Sequence, residues 1–167
     1  TTFFYNKYSD MFGFDYVTFK TINIKQAVTK GLEVCIEAKP MDELSLKANY
    51  TFTDARDTSP DSPDFDKKLL RRPESKLGFY TSYSFIPKTN INAEVIWVGV
   101  REDVDFSTYQ RTELKGYVLL NLAAHYDVFD FLRLNARAEN LLDTDYEEVY
   151  GYGTAGLSFY GGIKLSL

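Results

Sequence analysis

Apolar and polar residues alternate along most of the chain. In the last stretch Leu157, Phe159, Gly161, Ile163, Leu165 and Leu167 share one parity, while Ser158, Tyr160, Gly162, Lys164 and Ser166 share the other. A period of two predicts a β-strand with one apolar and one polar side. The pattern predicts eight such segments, at about 2–8, 22–38, 44–53, 77–85, 90–100, 118–127, 132–139 and 156–167. In the second, Ile22, Ile24, Val28, Leu32, Val34, Ile36 and Ala38 face one way and Glu33, Cys35 and Glu37 the other. That segment exceeds the roughly five or six residues usual for a strand in a soluble sheet. The connections alternate in length: 40–43, 86–89 and 128–130 are short, and 9–20, 55–73, 101–115 and 142–155 are long. Short turns at one end and long loops at the other predict an antiparallel membrane barrel, with the long loops outside the cell. Arg133, Arg137 and Glu139 then belong on a wet lumen face, because lipid does not solvate charge.

Composition narrows this reading without deciding it. Aromatic residues make up 16% of the chain, yet its mean hydropathy is −0.30. Half-apolar strands with aromatic girdles have that character; an ordinary antiparallel sandwich shares it. No run approaches the roughly 18 apolar residues of a membrane helix. Trp97 is expected near a membrane interface, where an amphipathic indole is favoured. Thr1-Thr2-Phe3-Phe4-Tyr5 lacks the pattern of a secretion signal, so the chain reads as an internal or C-terminal piece of something longer. A net charge of −5 with no basic stripe excludes a nucleic-acid partner. The single cysteine, Cys35, has no internal disulfide partner and reads as a small residue on a sheet face.

Several motifs carry a family resemblance. Glu139-Asn140-Leu141-Leu142-Asp143 with Tyr146, then Tyr150-Gly151-Tyr152 and Gly156, then the final strand, resemble the C-terminus of TonB-dependent outer-membrane receptors. Lys30-Gly31-Leu32-Glu33-Val34, the run LKANYTFTD from Leu46 to Asp54, and Arg71-Arg72-Pro73 resemble the same family. Leu167 departs from it, since family members usually end in an aromatic residue. The resemblance implies an all-β fold: residues 1–167 form a single domain, an antiparallel transmembrane β-barrel segment of about eight strands from a larger barrel of about 22. It implies a receptor, not an enzyme, in the outer membrane of a Gram-negative bacterium. Such a receptor binds and imports a scarce nutrient such as a ferric siderophore, haem or cobalamin. The implied partners are outer-membrane lipid, an N-terminal plug and the remaining barrel strands, TonB acting through that N-terminal part, and a small-molecule metal chelate as ligand. A self-contained eight-stranded outer-membrane barrel with a structural or adhesion role is the alternative, since eight is a permitted closed number.

Candidate chemistry is sparse. With His125 as the only histidine, a Ser-His-Asp triad and a multi-histidine metal site are both excluded, and His125 reads as a solvated lumen residue. No catalytic residue, metal site or cofactor is expected. Asp54, Asp57, Asp61, Asp64 and Asp66 fit no calcium-loop spacing, and Pro60 and Pro63 interrupt them, so the segment reads as a solvated acidic loop. Tyr146, Tyr150 and Tyr152 stand beside Asp145, Glu147 and Glu148 in the last outer loop. Loop tyrosines offer broad, low-entropy contact area to a ligand; packing at a barrel mouth accounts for them equally. Arg101 and Arg111, in another outer loop, read either as ordinary surface charges or as attraction for an anionic ligand such as a ferric siderophore.

Overall fold

A computed structural model of the chain describes all residues except Tyr16, Val17, Phe85 and Leu167, and omits the side chains of residues 13–15 and 22–25. The expected facings of Ile22, Ile24, Phe85 and Leu167 therefore lie outside the described residues. The strands are β1 (Thr2–Asp15), β2 (Lys20–Met41), β3 (Leu44–Asp57), β4 (Ser75–Tyr83), β5 (Thr89–Val98), β6 (Arg101–Val104), β7 (Arg111–Leu114), β8 (Tyr117–Phe129), β9 (Leu132–Glu139), β10 (Glu147–Val149), β11 (Tyr152–Gly153) and β12 (Ser158–Leu165). Eight of them form one antiparallel sheet in the order β1-β2-β3-β4-β5-β8-β9-β12. β6 pairs with β7, and β10 with β11, as separate two-stranded ribbons.

Register turns the alternation of single strands into continuous faces, because residues directly opposite in an antiparallel pair project to the same side. Ala48 pairs with Phe79, Phe79 with Val95, and Val95 with Leu120. Tyr126 pairs with Leu134, and Leu134 with Ile163. All of these are apolar-parity residues, and the side chains of Phe159 and Ile163 stand 72% and 71% exposed. An apolar face that open needs hydrocarbon against it. The opposite face pairs Glu37 with Lys47, Lys47 with Tyr80, Tyr80 with Glu94, and Glu94 with Asn121. A groove of about 720 Å³ opens against that polar face, lined in part by Glu37, Lys47, Tyr80, Glu94, Asn121 and Arg137.

Both ends of the apolar face carry aromatics. Phe129 and Phe131 stack with centroids 5.4 Å apart at the short-turn end. Trp97, beside Leu77 and Val118, marks the loop end. The short turns fall where expected: Met41 opposes Leu44, Phe129 opposes Leu132, and the Thr89 N–H donates to the Ile86 carbonyl across a turn with Lys88 at φ 62°.

The long connections differ from their expected form. Residues 9–15 are not loop but the outer half of β1, paired in unbroken register through Asp15 opposite Lys20. Backbone pairing with β2 carries the strand through this segment, where the sequence lacks a clean alternation. Residues 101–115 are likewise not an irregular loop. β6 and β7 continue the β5–β8 hairpin in its own register: Val98 opposes Tyr117, and Arg101 opposes Leu114. Between these pairs the sheet breaks at Gly99 and Gly116. A Cβ on Gly116 would come within 2.9 Å of the Val98 carbonyl oxygen and 3.4 Å of the Gly99 Cα. Two facing glycines let the backbones approach closely where the ladder is interrupted.

β1 and β12 are the sheet's two ends and do not pair with each other. The sheet is open, which counts against the self-contained eight-stranded barrel.

Candidate outer-loop ligand site

Three connections meet at the loop end of the sheet: residues 58–73, the β6–β7 hairpin, and residues 140–157. Their assembly begins with residues whose local backbone is awkward and therefore tied down. Asn140 and Asp143 adopt φ of 51° and 49°, a left-handed conformation that short polar side chains tolerate. The Asn140 Oδ1 accepts the Thr144 N–H at 2.9 Å, its Nδ2 donates to the Thr144 carbonyl at 2.9 Å, and Asp143 Oδ1 accepts the Leu157 N–H at 2.9 Å. These two residues of the ENLLD motif thus fold the last loop onto its own ends.

The acidic segment 54–68 is more tightly structured than a solvated loop. Asp57 and Ser59 are buried. Asp57 accepts the Ser59 N–H at 2.7 Å and the Ser62 hydroxyl at 2.6 Å, and the Ser59 hydroxyl donates to the Gln26 carbonyl at 3.0 Å. Asp54 pairs with Arg56 and Lys30, and Asp64 with Lys67 and Arg111. These carboxylates serve as caps and ion-pair partners. Among the described residues no three metal-ligating side chains gather.

The β6–β7 hairpin stands between the other two connections. Asp103 is fully buried. Its Oδ1 accepts from Arg71 Nε at 2.9 Å and from the Val104 N–H at 2.8 Å; its Oδ2 accepts from the Tyr150 N–H at 2.9 Å. On one flank the Arg71 N–H donates to the Glu102 carbonyl at 2.7 Å, and Arg111 donates to Glu102 Oε2 and to the Lys68 carbonyl. On the other flank Arg101 donates to the Glu147 carbonyl, pairs with Glu148 at 3.8 Å and lies over the Tyr117 ring at 5.2 Å. The Tyr117 hydroxyl donates to Glu148, and its ring packs at 4.3 Å on Tyr146. At the hairpin tip Phe106 meets Tyr152 edge-on at 6.4 Å, with the Arg71 guanidinium at 5.6 Å from the Phe106 ring. Asp105, also at the tip, accepts from the Ser107 hydroxyl and N–H, which hold its carboxyl below the usual carboxylate range.

The five residues singled out from the sequence come to one region but differ in role. The Arg101 side chain is only 2% exposed and is tied through Nη2 to the neighbouring loop, so it braces rather than presents charge. Arg111 is partly buried and bound to Glu102 and Asp64. Tyr146 packs inward, Tyr150 anchors through its backbone, and Tyr152 stands 66% exposed. Sequence reasoning missed Asp103, Arg71, Glu102 and Tyr117. Asp103 has an ordinary acidic neighbourhood in the chain, and its partners lie 32 and 47 residues away, so no local signal marks it.

On the polar sheet face, Lys47 pairs with Glu37 at 2.8 Å, Arg137 with Glu139 at 3.2 Å, and Asn121 Nδ2 donates to Glu94 at 2.7 Å. The Arg137 guanidinium lies 4.4 Å from the Tyr160 ring centroid. His125 sits on this face, half-buried, opposite Asn90 and Asn135.

Comparison with solved structures places this arrangement. The pyoverdine-bound outer-membrane receptor FpvA of Pseudomonas aeruginosa PAO1 superposes with a TM-score of 0.76 at 21% identity, covering 99% of this chain and 26% of that one. The ferric enterobactin receptor of P. aeruginosa matches with a TM-score of 0.75 at 17% identity, over 99% of this chain and 28% of the other. The copper transporter OprC matches with a TM-score of 0.78 at 18% identity, over 98% and 27%. At these identities the likeness shows the fold, and the chain spans about a quarter of each matched protein's length. The family described as TonB dependent receptor-like, beta-barrel matches residues 1–141. The apolar outer face, the wet inner face and the loops gathered at one end are thus a segment of barrel wall, and the chain belongs to the TonB-dependent receptor β-barrel family.

Proposed function

We propose that this chain is one domain-sized segment of a longer Gram-negative outer-membrane receptor that binds and imports a metal chelate, with a ferric siderophore as its ligand class. In this reading residues 1–167 supply barrel wall, lumen surface and part of the extracellular mouth. A plug and the remaining strands complete the barrel, lipid covers the apolar face, and TonB engages the receptor through its N-terminal part. The observation that carries the reading is the pairing of a continuous apolar face with a braced, tyrosine-bearing loop cluster at the end away from the short turns. Tyr152 and Tyr150 contact ligand. Tyr146, Arg101 and Arg111 hold that surface in place, the two arginines through their pairs with Glu148, Glu102 and Asp64.

The test is a fluorescence-quenching titration of the whole receptor with ferripyoverdine, ferric enterobactin and copper(II) as probes. One iron chelate is expected to bind in the micromolar range or tighter. Tyr152→Ala is expected to weaken that binding about tenfold, in keeping with loss of one aromatic anchor. Binding of copper(II) alone, or an unchanged affinity in Tyr152→Ala, would reject the siderophore reading or the tyrosine site respectively.

A further inference from the structure

The three outer connections are distant in sequence, yet one carboxylate belongs to all of them. Asp103 gives one oxygen to Arg71, from residues 58–73, and the other to the Tyr150 N–H, from residues 140–157. It has no exposed surface. A buried carboxylate is costly unless its oxygens are hydrogen-bonded. Movement of residues 140–157 strips Oδ2 of its Tyr150 donor, and movement of residues 58–73 removes the Arg71 guanidinium and leaves Oδ1 with the Val104 N–H alone. The surrounding bonds act in the same sense: Arg71 also donates its N–H to Glu102, and Arg101, two residues before Asp103, donates to the Glu147 carbonyl. Between the sheet and this hairpin the facing residues are Gly99 and Gly116, where a Cβ on Gly116 would come within 2.9 Å of the Val98 carbonyl oxygen.

We infer that Asp103 is a positioning residue that joins residues 58–73, 101–114 and 140–157 into one preassembled platform, so that ligand contact at Tyr150 and Tyr152 is thermodynamically coupled to the order of residues 58–73. Asp103 acts through Arg71 and Tyr150 and touches no ligand itself. The loop coupling stands on the geometry alone; its consequence for ligand rests on the function proposed above.

The experiment is hydrogen–deuterium exchange on the whole receptor, wild type against Asp103→Asn, Arg71→Gln and the double variant. Asp103→Asn keeps the side chain's shape and removes its charge. Both single variants are expected to speed exchange at least tenfold in peptides from 58–73 and also from 146–153, with peptides from 91–97 and 118–124 unchanged. The double variant is expected to add little, because both changes break one bridge. Acceleration confined to one loop, or additive effects in the double variant, would overturn the coupling. If Asp103→Asn does not assemble, Arg71→Gln alone decides the same question, since its side chain is 32% exposed and it breaks the same bridge. With ferripyoverdine as probe, ligand is expected to slow exchange in 58–73 in the wild type and not in Asp103→Asn. Asp103→Asn is further expected to raise Kd at least threefold while leaving the saturated uptake rate per folded receptor unchanged. An unchanged Kd would overturn the positioning role. Failure of the wild type to bind any iron chelate would overturn the ligand reading alone, and the exchange comparison would still decide the coupling.

Discussion

At the residue scale, a few side chains carry structure that their neighbours in sequence do not announce. Asn140 combines a left-handed backbone with hydrogen bonds to both sides of its loop. Asn140→Ala removes those bonds and retains an unfavourable φ, so a loss of about 2–3 kcal/mol is expected in the stability of the last loop. Limited proteolysis within 140–157 would read it as faster cleavage with the sheet intact; an unchanged rate would contradict the role. A Cβ at Gly116 meets the Val98 carbonyl oxygen at 2.9 Å. Gly116→Val is expected to cost about 1–3 kcal/mol by overpacking, read as a lower urea midpoint of the receptor in phospholipid vesicles; an unchanged midpoint would contradict the close approach. Asp105 makes a pH prediction with a definite sign. Its folded pKa is depressed by Ser107, so its contribution is complete above the unfolded carboxylate value of about 3.9 and is lost as pH falls through the lower folded value. A carboxyl chemical-shift titration should therefore place its midpoint below the ordinary aspartate range.

The unit at the scale of the element is the strand pair, and its two faces answer to different solvents. Leu134 pairs with Tyr126 and Ile163 on the apolar side, whereas its neighbour Asn135 pairs with His125 and Gly162 on the polar side. Leu134→Arg is expected to destabilise the barrel by about 2–4 kcal/mol if it lies near the bilayer midplane. Asn135→Arg, one residue along, should change stability by less than about 1 kcal/mol because the polar face is solvated by water. Urea unfolding of the receptor in phospholipid vesicles would separate the two; equal effects would mean that the faces are assigned wrongly. The β5–β8 hairpin shows the other behaviour available to an element. It keeps one register from Thr89 opposite Tyr126 to Val104 opposite Arg111, and its ladder is interrupted only around the glycine pair. Lipid-facing sheet and loop platform are thus two parts of one hairpin.

At the scale of the whole molecule, the open edges dominate. β1 and β12 each present one unpaired row of backbone donors and acceptors, which hydrocarbon does not solvate. Taken alone, the 167-residue chain has no way to satisfy both edges as the sheet stands. Refolded by itself in detergent, it is expected to associate through those edges and to run by light scattering well above its 19.2 kDa mass. A monodisperse, heat-modifiable monomer would show that the sheet can close on itself. On the function proposed above, further strands join those edges in the complete barrel, and the outer loops of this segment supply one sector of the mouth.

The alternation of apolar and polar residues was enough, by itself, to place the eight sheet strands, their apolar face and the short turns, because a period of two is imposed locally wherever one side meets lipid and the other water. The family motifs were legible for the same reason: Asn140 and Asp143 act within their own loop, over 4 and 14 residues. The outer ends were not legible. Above the membrane both strand faces meet water, so β1 continues through Asp15 and the β6–β7 hairpin forms without alternation to mark them. Nor did any local pattern distinguish Arg101, which braces the loops, from a surface arginine, or reveal Asp103 as their common partner. Those roles are created by contacts between residues tens of positions apart, and only the register of the sheet, carried from β5–β8 into β6–β7, brings them together.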